Sequence, residues 1–223
     1  MPLSPAANAG SHSFAERQQD LYETPDVAVR ALMRVERLPH FIWEPACGPG
    51  RIVRVLREAG HKVYATDLID YGCEDSESRV DFLMTSNRDF SGEAIVTNPP
   101  FKLAHQFVIH ALTLCPKVIM LLRLAFYESD RRKAILEGGQ LARVHVFSKR
   151  LPMMHRAGWE GRKASSGMAF AWFVWNRDHK GPTELRRISW SARFAAQTPE
   201  PTPEWHAMWA RPFDHPEQKD SRP

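Results

Sequence analysis

The chain has 223 residues, 43% hydrophobic and 25% charged, a composition suited to one folded domain and not to a disordered or fibrous chain. No apolar run reaches the roughly 18–20 residues that cross a bilayer, and Met1–Gly10 lacks a basic-then-apolar leader, so a cytoplasmic protein without a membrane partner is expected. The three cysteines, Cys47, Cys73 and Cys115, are too scattered for a disulfide framework or a zinc knuckle, and reduced thiols with no metal are expected. A net charge of +4 and a pI near 9.1 favour a polyanionic partner without defining one.

Residues 1–19 show no periodicity and are expected to form a flexible arm. Thr24-Pro25-Asp26 then reads as an N-cap, a proline at the first helical position and an acid in the first turn. Ala28, Ala31, Leu32 and Val35 follow at the spacing of a helix with one buried face. Phe41-Ile42-Trp43 predicts a short strand broken by Gly48-Pro49-Gly50, after which Ile52, Val55, Leu56 and Ala59 repeat the helical spacing up to Gly60. Lys62–Thr66 is the next strand, ending at Asp67, and completes a strand–helix–strand unit of the parallel-sheet kind.

Residues 70–79 read as an acidic loop and Val80–Leu83 as an edge-side strand. Ala94–Thr97 is a compact strand that Pro99 and Pro100 cannot continue. Lys102–Leu114 is predicted helical with Leu103, Phe107, Ala111 and Leu114 along one side, and Lys117–Leu124, the most apolar run, is the expected central strand. Glu128–Gly138 reads as a charged helix, Ala142–Phe147 as a strand, 149–168 as a loop, Ala169–Trp175 as an aromatic strand, and Leu185–Trp190 as a short additional one. Strands and helices therefore alternate over 20–190, the layout of an open doubly wound sheet, with an irregular tail rich in Pro and Trp over 191–223.

In such sheets ligands bind at the carboxyl ends of the strands. The first strand runs into Glu44-Pro45-Ala46-Cys47-Gly48-Pro49-Gly50, where paired glycines allow close backbone approach and the next helix presents unpaired N–H groups. A glycine pair by itself marks no more than a tight turn. Asp67 ends the second strand, where a carboxylate can accept both hydroxyls of a ribose, and the pair together points to a nucleoside-containing cofactor. Val53 stands where a dinucleotide site would place its third glycine, which disfavours a pyrophosphate cofactor and a nicotinamide-dependent oxidoreductase.

Asn98-Pro99-Pro100-Phe101 carries the most specific chemistry. An exocyclic amine on a planar ring has its lone pair delocalised and is a poor nucleophile. Two acceptors aimed at its hydrogens, the Asn98 side-chain oxygen and the Pro99 carbonyl, favour a pyramidal nitrogen with its lone pair directed toward a methyl donor. The prolines fix that geometry, and Phe101 offers a flat face for the acceptor ring.

In this order Tyr22-Glu23-Thr24-Pro25, the Glu44–Gly50 turn, Asp67, Asp81-Phe82 and Asn98–Phe101 resemble the motif set of class I S-adenosylmethionine-dependent amino-methyltransferases, in particular DNA N6-adenine methyltransferases of the small phage- or mobile-element-like kind. The resemblance covers roughly residues 20–175. It implies a Rossmann-like α/β fold with helices on both faces of a seven-stranded, mostly parallel sheet, whose last strand, Phe170–Trp175, lies antiparallel beside Val144–Phe147. It implies S-adenosylmethionine as cofactor, with Tyr22, Thr24 and Pro25 closing over its methionine end and Glu44, Ala46, Cys47, Gly48 and Gly50 at its amino-acid portion. Asp67 would take the ribose, Asp81 and Phe82 the adenine, with Asn98, Pro99, Pro100 and Phe101 holding the acceptor.

The expected partner is nucleic acid, DNA first and RNA as the alternative, since Asn-Pro-Pro followed by an aromatic also occurs in RNA guanine and protein glutamine methyltransferases and adenine-specific enzymes often end the motif in tyrosine. A catalytically silent nucleic-acid-binding protein of the same fold is the remaining alternative. No separate target-recognition domain is expected, and substrate contacts are expected from Lys102 and from the 149–163 loop, whose Lys149, Arg150, His155, Arg156, Trp159 and Lys163 interleave charge with an aromatic ring.

Overall fold

A computed structural model describes residues 22–86, 92–153 and 167–191. Residues 1–190 form one compact unit and 191–223 a second, and the account below concerns the first.

The chain order is α1 (Asp26–Val35), β1 (Phe41–Glu44), α2 (Arg51–Glu58), β2 (Lys62–Asp67), β3 (Ser76–Ser78), β4 (Ala94–Thr97), α3 (Ala104–Leu114), β5 (Lys117–Arg123), α4 (Lys133–Glu137), β6 (Leu141–Phe147), β7 (Phe170–Asn176) and β8 (Glu184–Ile188). All eight strands belong to one sheet in the order β3-β2-β1-β4-β5-β7-β6-β8. Strand β7 enters antiparallel between β5 and β6, with Leu121 opposite Trp172 and Val144 opposite Phe173. The other pairings are parallel, including the edge pair of β6 with β8. Six of the seven expected strands and the short additional one are present in this mostly parallel α/β sheet, and the expected strand at Val80–Leu83 is replaced by β3 at Ser76–Ser78.

The sheet is buried on both faces, which is why β5 and β7 read as continuous apolar runs. Helices α1 and α2 cover one face: Ala28, Val29, Ala31 and Leu32 meet Ile42, Val55, Leu56, Val96, Ile119 and Trp172. Helices α3 and α4 cover the other: Phe107, Val108, Ala111 and Leu136 meet Trp43, Ile95, Val118, Met120, Phe173 and Trp175. Among the described residues three tryptophans are wholly buried, and each indole N–H is satisfied: Trp43 donates to Thr66 Oγ1 at 3.0 Å, Trp172 to the Ala28 carbonyl at 3.0 Å and Trp175 to the Ile135 carbonyl at 2.7 Å. They stitch helices and strands to the sheet through bonds that an apolar core could not otherwise provide.

Several local expectations are corrected. Helix α1 begins at Asp26, with Pro25 in an extended conformation as its cap, while Thr24 is buried and makes no capping bond to the helix. Val35, expected on the buried face, is 40% exposed. Val80–Leu83 is not a strand. The Asp81 carboxylate accepts from Leu83 N at 3.0 Å and caps a 3₁₀ turn over Phe82–Met84, so Phe82 is driven into the core against Trp43 and Phe107. The edge strand lies instead at Ser76–Ser78, inside the expected acidic loop, and pairs with Ala65–Asp67. Residues 101–103 form a 3₁₀ turn before α3, which leaves Leu103 exposed. In place of the expected helix over Glu128–Gly138, a 3₁₀ turn over Leu124–Glu128 ends where it should begin, and a second at Asp130–Arg132 leads into the short α4.

Candidate active site

The carboxyl ends of β1, β2 and β4 meet at a cavity of about 420 Å³, within the range of roughly 300–1,000 Å³ usual for small-molecule sites. The β1–α2 turn forms its floor. Gly48 (φ 51°) and Gly50 (φ 82°) both sit in the left-handed region, and a Cβ on Gly50 would lie 2.6 Å from Cys73 Sγ, so the turn requires glycine on two independent grounds. The turn is pinned to β2 by Cys47 N donating to the Thr66 carbonyl at 3.1 Å and Gly48 N donating to Asp67 Oδ2 at 2.8 Å. The other Asp67 oxygen accepts from Ile69 N at 3.0 Å, which shapes the loop leaving β2.

Glu44 lies behind this turn, wholly buried. Its Oε1 accepts from Thr97 Oγ1 at 2.6 Å and from Ala46 N at 3.2 Å, so one carboxyl links the end of β1 to the end of β4, one residue before Asn98. Its Oε2 is buried without a partner. Burial raises the Glu44 carboxyl well above the ordinary carboxylate range; the bonds from Thr97 and Ala46 oppose this and the nearby Asp67 charge adds to it. Burial also pushes the Cys47 thiol far up, and the neighbouring Glu44, Cys73 and Asp67 add to it, which suits a small packing residue and disfavours a thiolate nucleophile.

Across the cavity, Asn98 Nδ2 donates to the Tyr22 carbonyl at 2.8 Å. A carbonyl only accepts, so this bond fixes the amide orientation. The Asn98 Oδ1 atom is left buried with no partner, on a residue that lines the cavity. The segment carrying Tyr22 is held over the site by Arg51 Nε donating to buried Glu23 at 3.0 Å and Arg54 donating to Asp26 at 2.5 Å. Phe101 has a stacked Tyr22 at 4.7 Å between centroids and the Arg123 guanidinium carbon at 3.9 Å from its own centroid. Phe101 is thus packed against an aromatic ring and a flat cation at once.

Of the residues singled out in the sequence, Tyr22, Thr24, Ala46, Cys47, Gly48 and Asp67 line the cavity, as do Asp81, Phe82, Asn98, Pro100 and Lys102. Pro25, Glu44, Gly50, Pro99 and Phe101 stand beside it without lining it. Lys149 and Arg150 are exposed at the end of β6 and do not reach the cavity. His155, Arg156, Trp159 and Lys163 lie outside the described residues. Sequence reasoning missed Leu68, Ile69 and Tyr71, which build the wall beside Asp67. Their signal was an apolar pair and a tyrosine directly after a strand-ending acid, in a loop otherwise acidic; the Tyr71 phenol is raised by burial and by the Asp67 charge. Among the described residues no group of three His, Cys, Asp or Glu could hold a metal, and no helix is long and apolar enough to cross a membrane.

No known protein family matches the sequence, and no curated protein is similar to it. Solved structures do share its fold. A modification subunit of a putative type I restriction enzyme from Vibrio vulnificus superposes with a TM-score of 0.54 at 15% identity, over 77% of this chain and 48% of that one, so this chain spans about half of it. A putative RNA methyltransferase from Pyrococcus horikoshii gives 0.52 at 11% identity, covering 74% of this chain and 90% of that one. A putative hemolysin from Lactococcus lactis gives 0.51 at 11% identity, over 73% and 90%. The fold is the Rossmann-like α/β fold of class I methyltransferases.

Proposed function

We propose that the protein is an S-adenosylmethionine-dependent methyltransferase that methylates an exocyclic amino nitrogen, N6 of adenine in DNA. The observation that carries this reading is Asn98. Its Nδ2 is committed to the Tyr22 carbonyl, and its Oδ1 is buried and unpartnered on a residue that lines the cavity. A buried oxygen without a donor is costly, and an entering amine N–H would relieve it.

The residues fit the cofactor. Each Asp67 oxygen accepts one backbone N–H and keeps a lone pair for a ribose hydroxyl. Leu68, Ile69 and Phe82 offer apolar surface for an adenine, and the Gly48–Gly50 turn with the start of α2 borders the place for the amino-acid end. S-adenosylmethionine supplies an electrophilic methyl group on a sulfonium. Asn98 Oδ1 does the rest of the work on this side: by accepting an amine hydrogen it favours a pyramidal nitrogen and holds the lone pair in position. A target base would have to leave its stack to reach this depth. Lys102, Lys149 and Arg150 are exposed on the acceptor side, which supports a polyanionic partner. RNA adenine or guanine is the second reading, favoured by Phe101 at the motif position where adenine-specific enzymes often have tyrosine.

Transfer of tritiated methyl from S-adenosylmethionine to DNA, RNA and protein pools, followed by nucleoside mass spectrometry, tests this directly. Label in N6-methyladenine from DNA is expected; label confined to RNA or protein would move the target, and no cofactor binding at high micromolar concentration would end the reading. Asn98→Ala should lower transfer by about 10²–10³, the scale for losing one positioned polar group, with cofactor affinity nearly unchanged. Equal loss of both would place Asn98 in the cofactor site instead.

A further inference from the structure

The Arg123 guanidinium is the unexplained group of the acceptor side. It ends β5, beside the β4 end that carries Asn98, and its paired residue across the sheet is Phe170. Its Nε is buried without a hydrogen-bond partner, and among the described residues it has no carboxylate partner. What it does have is the ring of Phe101, 3.9 Å away. A flat cation on an aromatic face is a stable resting place and a readily exchanged one. Tyr22 stacks on the same ring, and the area under the Arg123 guanidinium is the part of it that a flat acceptor could take by displacing the cation.

An entering ring would therefore displace a half-buried cation that has no counter-charge waiting for it in the protein. Glu128 and Asp130, the nearest acids along the chain, form no ion pair with it among the described residues. The other groups on this part of the sheet edge, Lys102 after β4 and Lys149 and Arg150 after β6, are also cationic. The acids gather on the opposite side, Asp67 and Asp70 after β2 and Glu74, Asp75 and Glu77 around β3. An acceptor that brings its own anion solves the problem that an uncharged one leaves open.

We propose that Arg123 occupies the acceptor's place on Phe101 and moves to the phosphate attached to the entering ring, so that the site selects a nucleotide within a strand over an uncharged amide such as a glutamine side chain. The inference rests on the amino-nitrogen methyltransferase reading. Arg123 is thereby a specificity-determining positioning residue, and it takes no part in the methyl transfer itself.

The test uses the full chain, wild type and the variants Arg123→Ala and Arg123→Lys, with cofactor affinity by calorimetry as the check on fold. The probes are a fluorescein-labelled, adenine-rich single-stranded oligodeoxynucleotide, free adenosine and a glutamine-containing peptide. Arg123→Ala should weaken oligonucleotide binding by about tenfold and flatten the slope of log K against log salt by about 0.7, the value for one lost phosphate contact on a single strand. Its KM for the oligonucleotide should rise with kcat little changed, while KM for adenosine, which has no phosphate, should stay level or fall. Arg123→Lys should restore the salt slope but not the full affinity, since lysine keeps the charge and loses the flat fork. An unchanged salt slope in Arg123→Ala, or an equal rise of both KM values, would overturn the proposal. Methylation of the peptide and not of the oligonucleotide by wild type would overturn it while leaving the amino-methyltransferase reading intact; failure to bind the cofactor would overturn that reading first.

Discussion

Two buried glutamates stand close together in the sequence and face opposite circumstances. Glu36, at the end of α1, accepts from Arg143 Nε, from Arg143 Nη2 at 3.0 Å, from His145 Nε2 at 2.8 Å and from Lys117 Nζ at 3.4 Å. Glu44, at the end of β1, has a hydroxyl and one backbone N–H for partners, and a bare oxygen. Burial pushes both carboxyls up. At Glu36 the bonds from His145 and Arg143 and the charges of Arg143 and Lys117 outweigh it and hold the group down at about 2; at Glu44 nothing does. The first carboxylate closes a network that fastens α1 to β5 and β6. The second sits at the strand ends where a ligand enters. The Glu36 carboxylate has both oxygens engaged, with His145 Nδ1 the one bare atom of its network, whereas the Glu44 carboxyl itself keeps a bare oxygen beside the cavity.

The largest effect should come from breaking the Glu36 network. Glu36→Ala leaves Arg143 and Lys117, each with only 21% of its side chain exposed, facing each other without a counter-charge. Removing one member of a buried network of this kind costs about 3–5 kcal/mol, to be read as a lowered urea midpoint at pH 7. A loss under about 1 kcal/mol would show that solvent already screens the cluster.

Acid titrates the same contrast. The Glu36 carboxyl is ordinarily near 4.5 and is held at about 2 in the fold, so its contribution is fully present above 4.5 and disappears as pH falls through 2. A shift of that size corresponds to about 3 kcal/mol. Other carboxylates titrate in this range too, so the measurement is the difference between wild type and Glu36→Gln across pH 5 to about 2. The gap between the two stability curves should close toward the acid end, and parallel curves would remove Glu36 from the account.

These two residues also show where the sequence stops being legible. The doubly wound order, the strand-ending turns and the positions of Asp67 and Asn98 follow from local runs and punctuation, because each strand buried on two faces is written as consecutive apolar residues. The Glu36 network has no local signature, since His145 and Arg143 lie more than a hundred positions away and only the β6 register brings them in. Strand β3 was hidden for a related reason: its three polar residues bury almost nothing and are held by backbone pairing to β2. Val80–Leu83 misled because apolar content was read as a strand, when the Asp81 cap had already turned the chain. In the site, the Gly48–Gly50 turn and Asn98 were visible at their strand ends, whereas the pairing of Arg123 with Phe101 depends on two strands being neighbours.

The smallest effect on stability, and the most telling about function, is expected at Glu44. Its carboxyl is raised in the fold above its unfolded value, so its contribution to stability is present below 4.5 and is lost as pH rises through the folded value. Glu44→Gln keeps an oxygen for Thr97 and Ala46, so its stability at pH 7 should stay within about 1 kcal/mol of wild type and should decline less toward alkaline pH. Cofactor binding should separate them. If the bare Oε2 receives the ammonium of the cofactor's amino-acid portion, the carboxyl that burial holds toward its protonated form is pulled toward ionisation, and binding is accompanied by proton release. Calorimetry in two buffers of different ionisation enthalpy reads that proton as a difference in observed heat. Wild type should show the difference and Glu44→Gln should not, with affinity lowered at least about tenfold for the lost charge–charge contact. The same heat in both buffers for wild type would make Glu44 a brace between the cofactor turn and the Asn98 motif and nothing more.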